Sequence, residues 1–258
     1  MISNKYWLIA SALSLVFGNA QAEESGIFES SISGANVTAP YNGGKAFKSS
    51  ALFNMNGKNK LGVSYLALDA WGESTNYLNV RYVNYLTPDV WIDSNVGASD
   101  KGSITAKFRG NTMINWGLTD KGLILGAGIE RYTMRSGGGS NAVHTMVVKY
   151  LDNLPVALQL NTTLAQSDMN NRLGGNIDTS IQYGYDQQWI VAAGGGYGRI
   201  NYELVRQPGS IADYHSTSYF ATGRYWFGRN WGMRTRYSGI TNHYYTRNEI
   251  EMGIFVNF

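Results

Sequence analysis

Three histidines and no cysteine bound the covalent and metal chemistry open to this 258-residue chain. Without Cys there is no disulfide framework, no thiolate zinc site and no cysteine nucleophile. His144 is followed by Thr145 and Met146, so no Ser stands two positions on to act with it as a nucleophile. His215 lies in Asp213-Tyr214-His215-Ser216-Thr217-Ser218, where an acid, an imidazole and several hydroxyls are close in sequence. That segment could serve ester hydrolysis, or proteolysis with Asp213 and His215 as a couple. The same composition suits a polar loop facing water. Three scattered His have no metal-ligand spacing, and Asp69, Asp168 and Asp213 could meet calcium only as isolated loop acids.

The glycine runs at 194–198 and 137–139 do not read as phosphate cradles. Neither ends in Lys-Ser/Thr, and the first follows an alternating strand and leads to no helix. Glycine at bends, or where a side chain would point into a narrow interior, is the better account. No cofactor and no metal are expected, and an enzyme is not.

Composition sets the surroundings. Lys+Arg number 21 and Asp+Glu 18, a net +3 that is too balanced for a nucleic-acid surface. Charged residues are 15% of the chain, with Gly 31, Tyr 18, Trp 7 and Pro 4. That is poor in charge for a soluble domain, yet a mean hydropathy of −0.25 does not suit a helical membrane protein. Residues 1–22 read as a secretory signal peptide, with Lys5 in the n-region, an apolar 7–17 and the cleavage pattern Ala20-Gln21-Ala22. Residues 23–258 are then one domain exposed to the envelope.

Period-2 alternation fits nearly all of that domain. Ile177, Thr179, Ile181, Tyr183 and Tyr185 alternate with polar neighbours, as do Ile250, Met252, Ile254, Val256 and Phe258 with theirs. Short polar turns fall at Gly57-Lys58, Pro88-Asp89, Asp120-Lys121, Asn153-Leu154, Asp186-Gln187 and Arg229-Asn230. Longer connections are expected at 33–45, 69–75, 135–141, 166–173, 197–216 and 241–247. Two tilted strands per repeat, with short turns at one end and longer loops at the other, describe an all-β transmembrane antiparallel up-and-down barrel. The count is about 14 strands, with 12 as the alternative, at 26–34, 46–56, 59–70, 75–86, 90–99, 103–117, 122–134, 142–151, 155–165, 174–186, 188–198, 216–228, 231–240 and 247–258. Tyr85, Trp91, Trp116, Tyr150, Tyr185, Trp189, Phe227 and Trp231 recur beside the short turns, where a girdle at the headgroups is expected.

Phasing each strand by its apolar set sends a mixed group of charges inward. The expected lumen residues are Lys48, Arg81, Lys107, Arg109, Lys149, Arg224, Arg234, Arg236, Glu29, Asp93, Glu130, Asp178, Glu249 and Glu251. Arg or Lys facing lipid at midplane costs about 2–4 kcal/mol, so the inward choice is favoured. Two uses follow: a polar channel for solutes such as saccharides, leaning toward anions, or a salt-bridged plug. In the last hairpin, a loop centred between Asn242 and His243 would set Arg236 against Glu249, Arg234 against Glu251 and Met233 against Met252.

The chain ends on Phe258, with apolar residues at every second position back to Ile250. This resembles the terminal strand read by the barrel assembly machinery. With turns such as Leu86-Thr87-Pro88-Asp89 and Leu118-Thr119-Asp120-Lys121, most of 23–258 resembles the YaiO-type outer-membrane β-barrel family. That resemblance implies a Gram-negative outer membrane, contact with membrane lipids and lipopolysaccharide, and a setting near envelope polysaccharide systems. It carries no site residue across. The expected function is a porin-like channel for small polar solutes or saccharides, with service to polysaccharide export. An occluded accessory barrel or a surface hydrolase is the alternative.

Overall fold

The computed structural model describes residues 25–38, 43–102, 105–135, 137–168, 171–203 and 211–258. The leader 1–22 lies outside them. Fourteen strands run in chain order: β1 (Gly26–Val37), β2 (Gly44–Asn54), β3 (Asn59–Ala70), β4 (Glu73–Tyr85), β5 (Val90–Ser99), β6 (Phe108–Leu118), β7 (Leu123–Thr133), β8 (Gly139–Tyr150), β9 (Val156–Ser167), β10 (Leu173–Tyr185), β11 (Trp189–Glu203), β12 (Ile211–Trp226), β13 (Trp231–Asn242) and β14 (Thr246–Asn257). Each pairs antiparallel with its chain neighbours, and β1 pairs with β14 to close the barrel. Closure pairs the strands all the way round the wall, so its ladders satisfy the backbone groups there without water.

Turn chemistry explains the hairpin ends. Asn153 and Gln187 take positive φ (65° and 61°) in the tight turns β8–β9 and β10–β11. The β3–β4 connection is two residues, Trp71-Gly72, both at positive φ (55° and 78°). Positive φ at both positions is what a type I′ hairpin demands. Residues 69–75, expected to form a longer connection, are therefore almost all strand. A bulky Trp in that conformation is held by packing: Trp71 lies on the buried cluster Ala46, Leu66, Leu68 and Ala70, and edge-on to Tyr245.

Alternation gives the wall two different faces. Outside, Ile32, Ile129, Leu164, Ile181 and Ile254 are each at least half exposed. Inside, the alternate positions are polar in the middle of the barrel and apolar toward the short turns, where Trp226, Ile190 and Phe255 pack together, as do Met146, Val148 and Ala157. An exposed apolar outer belt around a polar interior inverts a soluble protein and suits hydrocarbon outside.

Two segments differ from the sequence expectation. The ladder β11–β12 continues to Glu203 opposite Ile211, so most of 197–216 is hairpin rather than loop. Its polar alternation (Ser216, Ser218 inward) lacks the apolar row that marks the other strands. β6 begins at Phe108 rather than 103. The aromatics also divide. Trp116, Tyr185, Phe227 and Trp231 are exposed on the outer face, whereas Tyr85 and Trp91 share the inward phase of buried Val83 and Asp93. Tyr150 likewise packs inward beside Val148. Proximity to a turn fixes a residue's height on the wall, not the face it takes.

Candidate functional site: the inner wall

The interior-phase charges gather in two groups on different parts of the wall. The larger spans β12, β13, β14, β1 and β2. Glu29 accepts from Arg224 and from Arg234 Nη1 at 2.6 Å. Glu251 accepts from Arg234 Nη2 at 2.6 Å and Ser31 Oγ at 2.7 Å on one oxygen, and from Lys48 Nζ at 2.6 Å on the other. Glu249 accepts from Arg247 at 2.7 Å and lies 3.9 Å from Lys48. Two guanidinium groups also rest on aromatic faces, Arg224 at 4.5 Å from the Phe255 ring centre and Arg236 at 4.6 Å from that of Phe220. Alternation and register place all these side chains on one face; chain order would leave Glu29 and Arg224 far apart.

The second group follows β4 to β9. Arg81 grips Asp93 through Nε and Nη2, both at 2.9 Å, a bidentate pair that fixes the β4–β5 register. Arg109 Nη2 donates to Glu130 Oε2 at 2.6 Å, and His144 Nε2 lies 3.4 Å from that same oxygen. The other ring nitrogen, Nδ1, is 3.0 Å from Thr163 Oγ1. Among this second group stand neutral amides: Asn95 donates to Asn111 at 3.1 Å and Gln159 to Asn161 at 3.0 Å. Asn176 donates to Asp178, whose carboxylate lies so close over Gly196 that a Cβ there would collide with it.

Two expected lumen lysines are placed elsewhere. Lys149 shares the phase of exposed Val143 and Val147 and donates to the Lys121 carbonyl at 2.5 Å, at the turn end. Both faces of β8 are apolar there, because Met146 and Val148 pack inward, so the apolar set could not fix the phase. Lys107 precedes β6 at the loop end, exposed, its backbone bonded to Ser99 and Thr133.

The line Glu130–His144–Thr163 was not visible in the sequence, because its members lie on three strands. Only the register, His144 opposite Thr163, brings them together. It has the order of an acid–base–nucleophile set, with the carboxylate oxygen nearest the imidazole shared with Arg109. Among the described residues His215 belongs to no such set. It faces outward on β12 and stacks on Tyr197 at 5.2 Å. The Asp213 side chain lies outside the described residues. Among the described residues no three acids and histidines converge as metal ligands.

At the loop-end rim, Asn76 donates its backbone N–H and its side-chain amide to Asp100 at 2.8 and 2.6 Å. These bonds hold the Asp100 carboxyl below its ordinary pKa. The Asp168 carboxyl is lowered in the same way by the Arg131 guanidinium, bonded at 2.8 Å.

No protein-family model matches the chain, and no curated protein matches it. Solved structures do. A Pseudomonas aeruginosa FadL homologue aligns over 91% of each chain with a TM-score of 0.63 and 11% identity. The CymD monoaromatic hydrocarbon channel aligns over 92% of this chain and 90% of its own, with a TM-score of 0.61 and 11% identity. A bacterial polysaccharide outer membrane secretin aligns over 92% of this chain and all of its own, with a TM-score of 0.57 and 8% identity. At such identities the likeness is one of fold: this chain has the closed β-barrel architecture found in outer-membrane proteins.

Proposed function

We propose that this barrel sits in the outer membrane of a Gram-negative bacterium, after loss of residues 1–22, and forms a passive channel for small polar solutes, saccharides among them. One observation carries the reading. The interior ion pairs described above link strands that are neighbours or near neighbours along the wall, such as Arg81 with Asp93 and Lys48 with Glu251. Fourteen strands spaced about 4.8 Å apart and tilted about 40° enclose a backbone diameter of roughly 28 Å. A salt-bridged plug would have to send charges across that bore to partners on the far side, whereas these lie along the wall and leave the axis to water. The lumen-lining set is then Glu29, Lys48, Arg81, Asp93, Arg109, Glu130, Asp178, Arg224, Arg234, Arg236, Glu249 and Glu251.

Lipid and lipopolysaccharide cover the apolar belt, the barrel assembly machinery inserts the chain through its C-terminal strand, and the resemblance to the YaiO-type family supports a setting near polysaccharide export. The barrel has no catalytic role. Purified, folded protein in planar bilayers tests the reading: discrete conductance steps are expected. Silence from a barrel that is folded by its heat-modifiable mobility would instead favour an occluded accessory protein. The apolar packing at the turn end, where Phe255 is wholly buried, is the feature on the side of that second reading.

A further inference from the structure

We infer that the channel is selective for anions and that its solute class is acidic saccharides, with carboxylates tracking the wall β12–β13–β14–β1–β2 and hydroxyls the amides opposite. The inference rests on the channel reading. Its ground is a difference in depth within the ion pairs. Lys48 is 27% exposed where its partner Glu251 is 3%, and Arg234 is 22% exposed against the same carboxylate. Arg224 at 20% stands above Glu29 at 15%. At these three pairs the acid lies deeper than the cation; at the loop end the order reverses, with Arg247 at 8% beneath Glu249 at 14%. At the three pairs a solute in the lumen therefore meets ammonium and guanidinium groups first, although each has an acid behind it.

The count on the same wall agrees. Among the described residues its interior phase carries Lys48, Arg224, Arg234, Arg236 and Arg247 against Glu29, Glu249 and Glu251. Elsewhere the interior phase carries Lys60, Arg81 and Arg109 against Glu73, Asp93, Glu130 and Asp178. All of the positive excess is thus on one side. In a ring of fourteen, the strands seven places away are opposite, so β5, β6 and β9 face β12, β13 and β2. Those strands present Asn95, Asn111, Gln159 and Asn161, uncharged groups that both donate and accept, beside Asp93 and Arg109 of the second charged group, each already in an ion pair. A wall with a cationic excess facing one that mixes amides with paired charges suits a chain of sugar rings bearing carboxylates: charge on one edge, hydroxyls on the other. A neutral sugar would leave the net positive excess of this wall unused, and a simple anion would leave the amides unused.

The test is single-channel recording of the folded protein in a KCl gradient, followed by addition of a trimer of galacturonate or of the neutral trisaccharide maltotriose. The reversal potential should report chloride over potassium by about 3-fold, an effect of the fixed charge near the pore surface. The acidic trimer should interrupt the current at roughly 10-fold lower concentration than the neutral one. Lys48→Gln should shift the ratio toward unity while Lys48→Arg retains it, so loss of selectivity is separable from loss of folding. An open channel that prefers potassium, or is unselective, overturns the inference and leaves the channel standing. Equal block by the two trimers overturns the preference for acidic saccharides. A folded barrel with no conductance overturns the channel, and the inference with it.

Discussion

Arg236 stands directly opposite Glu251 in the β13–β14 ladder, yet the Glu251 carboxylate is bonded by Arg234, Lys48 and Ser31. Facing position and ion-pair partner are different relationships in a twisted wall. The long arginine two residues away reaches diagonally, while Arg236 lies on the Phe220 ring. The expected register, with Arg236 against Glu249 and Met233 against Met252, is displaced by two residues: Ser238 opposes Glu249 and Met233 opposes Ile254. The cause is the loop. Asn242 Oδ1 accepts from the N–H groups of Tyr244 and Tyr245, and Asn242 N–H donates to the Tyr245 carbonyl, which centres the turn one residue later. A shift of two keeps every side chain on its face.

Removing the Glu251 carboxylate should therefore weaken the closing seam. Glu251→Gln leaves Lys48 and Arg234 close together without the acid between them, and loss of one partner of a buried pair costs about 3–5 kcal/mol. A lower urea midpoint for loss of the compact band in detergent is expected. Glu251→Arg should fold worse still, and adding Arg234→Glu should recover part of the loss. A double variant no better than Glu251→Arg alone would show that the pair is not coupled.

Strand number and most strand ends were legible in the sequence because each hairpin repeats one pattern: an apolar row, a polar row and a tight turn. β3 and β5 run over the expected residues, Asn59–Ala70 and Val90–Ser99. Legibility failed where the pattern loses contrast. β8 has apolar residues on both faces, so Lys149 was phased wrongly; β11 and β12 have polar ends, so their extension resembled a loop. The ion-pair partners were not legible, because they depend on diagonal reach across two or three strands. Glu29 with Arg224 is the clearest instance: the two are far apart in sequence and meet only because the barrel closes.

The rim carboxyl of Asp100 should titrate below the ordinary aspartate value of 3.8. Its folded pKa is depressed, so its contribution is present above the unfolded value and fades as pH falls through the lowered folded one. Carboxyl-carbon NMR of the protein in micelles reads the midpoint directly. Asn76→Ala removes the side-chain bond but keeps the backbone one, so the midpoint should rise part of the way. An unchanged midpoint in that variant would show the amide side chain to be irrelevant.

The β11–β12 connection should face the cell exterior. Its ladder ends at Glu203 opposite Ile211, at the barrel end away from the short turns. Gly209 lies outside the described residues, between those ends, and an epitope inserted there disturbs no described pair. Antibody staining of intact cells is expected, and staining only after permeabilisation would reverse the orientation.

Phe258 should govern assembly more than stability. Its backbone N–H donates to the Gly26 carbonyl at 2.9 Å and its carbonyl accepts from Gly26 N–H at 2.8 Å, so the final residue completes the β1–β14 seam. Those bonds are made by the main chain and survive a change of side chain. The ring is 45% exposed on the outer face and meets Phe53 edge-on at 5.8 Å, an exposed aromatic pair worth about 0.5–1.5 kcal/mol. Phe258→Ser should accordingly cost little once the barrel is folded. If the C-terminal apolar row is read during insertion, the same substitution should lower the heat-modifiable fraction recovered from outer membranes several-fold under strong expression. Refolding the variant from urea into detergent separates the two steps. A normal refolding yield with a poor yield in cells supports recognition of Phe258 by the assembly machinery. Equal yields in cells for wild type and variant would make the terminal ring only a packing residue, and a refolding defect as large as the cellular one would place its role in the barrel itself.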